Sequence, residues 1–386
     1  MRIALNGYFW DQPRTGSGQY LRHLLSAMSD APVEDRFILL RPGQEASPAS
    51  QAEDRRAGSP ELSPLAKIRW EALSSMSAAR KHHAQLLHVP YLTAPLSRRI
   101  PVVVTAHDMI PWVIPGYSGS FVVRLYLSLA AAAVKRARLI IADSDASRRD
   151  VIKVLKVPPS RVRTVYLGVE PHPAYTEAQL SSVRAKFGLP RAYAFYLGGF
   201  DTRKNVPLLL RAWRGLRDAL RDASSGEEPP VLAIGGSVPQ PGGVFPDVEG
   251  EAAKLGLTEG EQPGVCFIGR VSEEDKPVLM DGARLFAYPS TYEGFGLDPL
   301  EAMSVGCPVV SSSGGSLGEV VGRGGLLVPP NDEPAFRAAL LRAWTDPDLR
   351  ASLSHAGKAQ SARFTWERTA AQTRQLYNLA LRSPRQ

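Results

Sequence analysis

Short, almost wholly apolar runs, each closed by a loop rich in glycine, serine or proline and followed by a segment of helical periodicity, recur along this chain. That alternation restricts the fold more than any other feature. In the first half the runs are 2–6, Phe37–Leu40, Gln85–Val89, Pro101–Ala106, Leu139–Ala142 and Val162–Val165. In the second they are Tyr193–Leu197, Val265–Ile268, Leu285–Tyr288, Pro308–Ser311 and Leu326–Val328. Strands that do not alternate with polar residues are buried on both faces, as in a parallel sheet covered by helices. Helical patterns fall between them, among them Tyr20 to Met28, Leu125 to Val134, 147–156, Val206 to Leu220 and 273–282. The expected fold is α/β, with two doubly wound, Rossmann-like halves facing across a cleft.

A length of 386 residues also favours two domains. The stretch Gly168–Pro173, with two prolines, reads as the linker. The expected domains are 1–170 and 174–365, with a final helix over 366–386 packing back on the first. Residues 43–65 are polar and Pro-rich and read as a mobile loop, and 222–230 and 235–247 as loops.

Several function classes are disfavoured by composition. No apolar run approaches the roughly 20 residues that a bilayer-spanning helix needs, and the N-terminus reads as a strand, not a signal peptide. A cytoplasmic protein is expected, with Cys266 and Cys307 as reduced core residues. The net charge of +8 is unevenly spread: residues 1–170 hold 23 Lys and Arg against 14 Asp and Glu, the remainder 23 against 24. Pairs such as Arg80-Lys81, Arg98-Arg99 and Arg148-Arg149, with the cluster Lys135-Arg136-Arg138, could face an anionic membrane surface or simply solubilise the chain. Nucleic acid is not expected, because no aromatic residues interleave with the basic ones.

The most informative stretch is Tyr292-Glu293-Gly294-Phe295-Gly296-Leu297-Asp298-Pro299-Leu300-Glu301. It leads from a strand through a glycine loop into a helix, with Asp298 placed to be the N-cap, Pro299 the first helical residue and Glu301 the capping-box acid. Glycines permit close approach to the backbone, and first-turn N–H groups favour an anion, so a pocket for a phosphorylated ligand is expected. Glu293 and Glu301 could also be no more than a loop acid and a capping residue.

Other polar positions cluster after strands. Gly16-Ser17-Gly18 opens a helix, but Leu21 stands where a dinucleotide fingerprint needs its third glycine, and the next strand ends at Arg41 and not at an acid. A dehydrogenase is thereby disfavoured, while a phosphate nest remains open. His107-Asp108 closes the Pro101–Ala106 strand, where open sheets place ligands. Asp143-Ser144-Asp145 has the form of a metal-binding D-x-D, but the helix after it makes N-capping the better explanation. Arg203 and Lys204 precede a helix start.

Together these segments resemble the retaining glycosyltransferases of family four, which have the GT-B fold. The resemblance rests on Gly16-Ser17-Gly18, Val103 to Asp108, Asp143-Ser144, Arg203-Lys204-Asn205, Phe267 to Val271, Glu293 to Glu301, Gly318 to Gly322 and Gly325 to Pro329, in that order. It implies an acceptor-binding first domain and a second domain for a nucleotide-diphosphate sugar. It further implies that Glu301 holds the ribose hydroxyls, that Glu293 contacts the transferred sugar, and that Arg203 and Lys204 neutralise the diphosphate. Backbone N–H groups of Gly16 and of Gly296 to Asp298 would assist, and Ser17, Gly294, Phe295, Gly296 and Leu297 would also bind the donor. His107 would approach the sugar, Asp108 would lie on the acceptor side, and Val271 or its neighbour would meet the nucleobase. Glu293, His107 and Lys204 are thus the catalytic candidates.

No metal or other cofactor is implied, and the anomeric configuration is retained. The sequence departs from many relatives in having Gly198-Gly199-Phe200 where an arginine stands near the phosphates. GDP-mannose is the first expectation for the donor, by likeness to bacterial mannosyl- and rhamnosyl-type enzymes of polysaccharide synthesis, and UDP-glucose the second. The acceptor could be a glycan, a lipid-linked sugar or a small molecule. A noncatalytic sugar-nucleotide-binding module, or a GT-B sugar-nucleotide epimerase, are the alternatives; no segment suggests the cofactor lysine of a phosphorylase.

Overall fold

The computed structural model describes residues 1–13, 15–29, 35–43, 47–48, 63–97, 99–222, 229–260 and 263–382. Most of the polar stretch 43–65, and Arg98 of one basic pair, lie outside the described residues. The chain divides into two compact units. One comprises Met1–Gly168 with Thr365–Gln386, the other Val169–Phe364.

The first unit is built on seven strands: β1 (Arg2–Asn6), β2 (Arg36–Leu40), β3 (Ser47–Pro48), β4 (Leu86–Val89), β5 (Val102–Ala106), β6 (Leu139–Ala142) and β7 (Val162–Thr164). Their order is β3-β2-β1-β4-β5-β6-β7, parallel throughout except for β3, which pairs antiparallel with β2. The order reverses between β1 and β4. β4, β5 and β6 are buried along their whole length, which is why they read as largely apolar runs, broken only by His88 and Thr105.

The helix Trp366–Arg382 belongs to this unit. Its buried residues Trp366, Thr369, Ala370, Thr373, Tyr377 and Ala380 form one stripe. Because that stripe is half polar, hydrogen bonds fix it as well as burial does. Tyr377 Oη meets Nδ1 of the fully buried His88 at 2.7 Å, while His88 Nε2 meets Thr105 Oγ1 at 2.8 Å. Burial holds this imidazole neutral by lowering its pKa to about 3. At the edge, Arg374 binds the buried Asp35 through two nitrogens at 2.9 and 2.8 Å.

In contrast, the helix Phe121–Val134 buries little. Among its residues only Ala130, Ala133 and Val134 are buried, and Phe121, Val122, Leu125 and Leu129 all lie more than half exposed. Residues 64–81 form helices Pro64–Arg69 and Ser75–Lys81 around a π-helical segment, Trp70–Ser74; 66–81 carried no expectation, and the loop expected over 43–65 ends before Pro64, where Ser63 caps the helix.

Six strands make the second unit: β8 (Tyr193–Leu197), β9 (Val231–Gly235), β10 (Val265–Gly269), β11 (Leu285–Tyr288), β12 (Val309–Ser312) and β13 (Gly325–Val328). All are parallel, in the order β10-β9-β8-β11-β12-β13, so this sheet reverses between β8 and β11. The run that forms β9, Val231–Gly235 between Pro230 and Gly236, was not singled out in the sequence. The helix Val206–Asp222 buries Leu209, Leu210, Trp213 and Leu216 as its period predicts, and Trp213 Nε1 donates to Gly264 O at 2.9 Å. Both cysteines are free; Cys307 is buried, but Cys266 is half-exposed near the sheet edge, not a full core residue.

Among the described residues no helix is long and apolar enough to cross a membrane.

Candidate active site

The strand reversal in the second unit puts two loops side by side, one after β8 and one after β11. After β8 the chain passes Gly198-Gly199-Phe200-Asp201 into a single helical turn, Thr202–Lys204, and then Asn205 takes a left-handed φ of 53° to start the next helix. The long helix behind it is anchored by its buried stripe, so Arg203 and Lys204 are held from the backbone outward. After β11 comes the stretch with the two glutamates.

Glu293 joins the loops. Its Oε2 lies 2.7 Å from Arg203 Nη1 and its Oε1 2.9 Å from Lys204 Nζ. Burial would raise this carboxyl's pKa, but Lys204 and Arg203 overcome that and hold it down to about 2. Arg203 is also fixed by Asp201 at 3.3 Å and by the Tyr292 carbonyl at 3.0 Å. Its own pKa is raised: burial opposes its charge, and Glu293 and Asp201 outweigh burial.

Tyr288, the last residue of β11, is the common neighbour of these charges. Lys204 Nζ donates to its hydroxyl, and the single hydroxyl proton has Asp298 Oδ2 at 2.8 Å and Glu293 Oε1 at 3.1 Å as acceptors. The Lys204 ammonium also stands 4.8 Å over the Tyr288 ring. Of the three ammonium protons, hydrogen bonds to Tyr288 and Glu293 engage two, and Asp298 at 3.8 Å is beyond hydrogen-bond reach of the third. A phosphate oxygen could take that third proton.

The helix after this loop begins earlier than its sequence suggests. It spans Leu297–Val305, with Gly296 as N-cap at φ 100°, so Asp298 is not the cap and no capping box forms. The reason is local: only glycine adopts that backbone readily, and Tyr288 draws the Asp298 carboxylate away from the helix end. Glycine offers no side-chain cap, which leaves the first-turn N–H groups suited to an anion. A second loop supports the first. The single hydroxyl proton of Ser316 has the carbonyls of Phe295 at 2.6 Å and Glu293 at 3.0 Å as acceptors, and Phe295 packs edge-on to Phe364.

Glu301 lies one turn further along that helix, three residues past Asp298. Lys276 Nζ donates to it at 2.8 Å and stands 2.8 Å from Glu273 as well. Burial is the stronger influence and pushes Glu301 up to about 7 despite this lysine. Val271, past the end of β10, closes over the end of β9. A methyl group added to Gly235 would lie 2.9 Å from Leu197 and 3.1 Å from Val271, so the ends of β8, β9 and β10 converge there.

The remaining candidates lie in the first unit. His107, one residue past β5, has Nδ1 2.7 Å from Asp143 Oδ2 and Nε2 3.0 Å from Pro90 O. Both ring nitrogens face acceptors. Burial opposes charge on the ring, but Asp143 prevails and raises its pKa, so an imidazolium is favoured. Asp108 accepts from Ile110 N at 2.9 Å. Gly16 and Ser17 open the helix Gly16–Ser29, whose Tyr20 ring stands edge-on to His107 at 5.0 Å.

The second unit thus gathers Arg203, Lys204, Glu293 and Gly294 to Leu297, with Glu301 and Val271 on adjoining elements; the first gathers Gly16, Ser17, His107 and Asp108. Sequence reasoning missed Tyr288, Asp201, Lys276 and the use of Asp143. Within the D-x-D the N-cap is Ser144, accepting from Ser147 N at 2.9 Å, and Asp143 binds His107. The available signal for Tyr288 was a phenol ending an otherwise unbroken apolar strand.

Two family models match the chain. Residues 14–172 match that of Glycosyltransferase Family 4, and residues 182–360 that of Glycosyl transferases group 1. The chain is 34% identical over 306 residues to O-antigen chain mannosyltransferase B of Escherichia coli, covering 78% of this chain and 76% of that protein. Among solved structures, a sucrose-phosphate synthase from Thermosynechococcus elongatus superposes with a TM-score of 0.72 at 23% identity, covering 98% of both chains. Anabaena HepE in complex with UDP-glucose gives 0.70 at 19% identity, covering 98% of this chain and 100% of that one.

Proposed function

This chain belongs to the family-four glycosyltransferases of GT-B fold, and from that premise we propose that it transfers a mannosyl group from GDP-mannose, with retention and without a metal, to a hydroxyl of a glycan or lipid-linked acceptor. The observation that carries this reading is the convergence of Arg203 and Lys204 on Glu293 and Tyr288 beside an uncapped helix start. Two fixed cations and a row of N–H groups suit a diphosphate leaving group and do for it what a divalent cation would otherwise do.

In the proposed reaction the bond from the anomeric carbon to the diphosphate oxygen breaks, and a bond to the acceptor oxygen forms on the same face. The acceptor's proton passes to the leaving phosphate oxygen, releasing the nucleoside diphosphate. His107 suits this course, because both its nitrogens already face acceptors and neither is available as a base. Its role is to stand against the transferred sugar as an oriented imidazolium, with Asp108 toward the acceptor. Glu293 offers negative charge to the developing oxocarbenium. Glu301 receives the ribose hydroxyls, and the backbone about Val271 receives the base. The second unit therefore binds donor and the first binds acceptor.

The mannosyl choice is supported by the named activity of the E. coli relative; UDP-glucose, present in the HepE complex, is the second donor to try. A cytoplasmic site of action at a membrane face is proposed from the exposed apolar residues of the helix Phe121–Val134, which end at exposed Lys135 and Arg136. Arg148, by contrast, is bound to the carbonyls of Val162 and Pro159 and serves the fold. Vesicles containing anionic lipid should bind the protein and neutral ones should not, with salt reversing the binding; equal binding to both would remove the electrostatic part.

The deciding experiment is thermal melting with GDP, UDP, dTDP and ADP, each with and without EDTA, followed by hydrolysis assays on the matching hexose donors. A rise with GDP that EDTA leaves intact, and turnover of GDP-mannose, is the expected result. Binding without turnover even when glycan acceptors are supplied would make this a sugar-nucleotide-binding module.

A further inference from the structure

The first unit carries a second polar cluster that no step above uses. It lies where β1 and β4 end, at the reversal of that sheet, the place where open α/β sheets take ligands. Asn6 ends β1, and its Oδ1 accepts from Trp70 Nε1 at 3.0 Å and from Tyr8 N at 3.1 Å. Tyr91 follows β4, with its ring 5.0 Å from that of Phe9 and 6.0 Å from that of Tyr8.

Beside Trp70 stands Glu71, only 4% exposed. Its Oε2 accepts from Tyr126 Oη at 3.0 Å and has Thr93 Oγ1 at 3.5 Å. Oε1 is buried with no hydrogen-bond partner among the described residues; Lys67 Nζ stands 3.9 Å from it. A buried carboxylate lacking a partner for one oxygen costs stability. The backbone that delivers it is also unfavourable. Trp70 and Glu71 open the π-helical segment, a rare conformation that is frequent at functional sites.

The rim of the cluster defines the ligand. Tyr8, Lys67 and Tyr126 are half-exposed, with Lys67 Nζ 5.2 Å over the Tyr8 ring and 5.8 Å over the Tyr126 ring. Aromatic faces take the C–H surface of a pyranose, and a carboxylate oxygen without a hydrogen-bond partner among the described residues takes a hydroxyl proton in a charge-assisted hydrogen bond. An anionic ligand is disfavoured by Glu71 itself.

We propose that Glu71, Tyr8, Tyr91 and Tyr126 form a saccharide subsite in which a hydroxyl of a neutral pyranoside donates to Glu71 Oε1. This rests on the glycosyltransferase reading, for which it would be the seat of the acceptor sugar, and it makes Glu71 a residue that selects the acceptor.

The test uses the whole chain and methyl α-mannopyranoside as probe, observed by saturation-transfer NMR, with acceptor-free hydrolysis of GDP-mannose and UDP-glucose read in parallel. The wild-type protein should pass saturation to the glycoside. Glu71→Gln and the milder Tyr126→Phe should bind it at least ~10-fold more weakly, the order expected when a hydrogen bond to a charged group is lost. Glu293→Ala should bind it normally. Equal binding by wild type and both subsite variants, or no binding of methyl mannoside, methyl glucoside and their disaccharides to wild type, overturns the subsite. Glycoside binding sensitive to Glu71, in a protein that hydrolyses no donor, supports the subsite and counts against the transferase reading alone.

Discussion

At the scale of single residues, the second unit's charges depend on one phenol. Without the Tyr288 hydroxyl, Lys204 and Asp298 lose the group that holds them together. Tyr288→Phe is expected to lower stability by about 1–3 kcal/mol, as unmade hydrogen bonds to buried charges do, and to lower turnover; equilibrium urea unfolding and donor-hydrolysis rates check both. Lys204→Ala and Glu293→Ala should each reduce turnover by at least ~100-fold, the cost of deleting a preorganised charge-stabilising group. Near-normal rates in both folded variants would dismiss the assignment. pH separates the two glutamates. Glu293 is held down to about 2, below its ordinary 4.5, so its contribution to stability is complete above the ordinary value and lost as pH falls through the lower one. Glu293→Gln should flatten that acid limb. Glu301 is pushed up to about 7; if the ribose needs its carboxylate, donor affinity should rise by about tenfold between pH 6 and pH 8, and Glu301→Gln should abolish the rise. The meeting of Glu293 with Arg203 and Lys204 was legible because these residues stand in loops at strand ends. Tyr288 and Asp143 were not. Each looks like part of an ordinary strand or helix start, and only the fold brings it to its charged partner.

Most strands were legible where burial is uniform, though β9, buried at every residue, was not. Strands covered on both faces read as continuous apolar runs, so β1, β5, β8 and β11 were readable almost to the residue. The starts of helices were less so, because capping competes with tertiary contacts. The helix Leu297–Val305 shows why: Asp298 had the right chemistry for a cap, but Tyr288 offered it a better partner and Gly296 could turn the chain sooner. The glycine loop beneath this helix is equally constrained. Gly315 has φ 62°, and a methyl group there would lie 2.4 Å from the Glu293 carbonyl oxygen. Gly315→Ala should therefore cost about 1–3 kcal/mol of strain and displace Glu293, seen as a lower urea midpoint together with weaker diphosphate binding. Wild-type values for both would show that the loop can yield. The π-helical turn at Trp70–Ser74 left no trace in apolar periodicity, since its register is set by what Trp70 and Glu71 reach.

For the molecule as a whole, two β/α halves were evident from the repeated alternation, and so was the return of the final helix to the first half. What could not be read was how that helix is fastened, because Tyr377, on His88, and Thr369, which donates to the Tyr166 carbonyl, are not the residues an apolar stripe advertises. A fragment of residues 169–364 should fold alone, with cooperative thermal melting and nucleotide binding. A fragment ending at residue 364 should lose the near-ultraviolet signal of its first unit, having exposed His88 and Tyr20 to water. Retention of that signal would show the helix to be dispensable. The fastening has a further consequence for synthesis on the ribosome. The first unit is interrupted in sequence by the second, and the segment that covers His88 emerges only after all of residues 169–364 have been made. Domains emerging from a ribosome commonly fold in order of synthesis; here the order is inverted. The later-made unit is complete first, and the earlier one waits, its unclosed surface a natural client for a chaperone, until the last helix arrives.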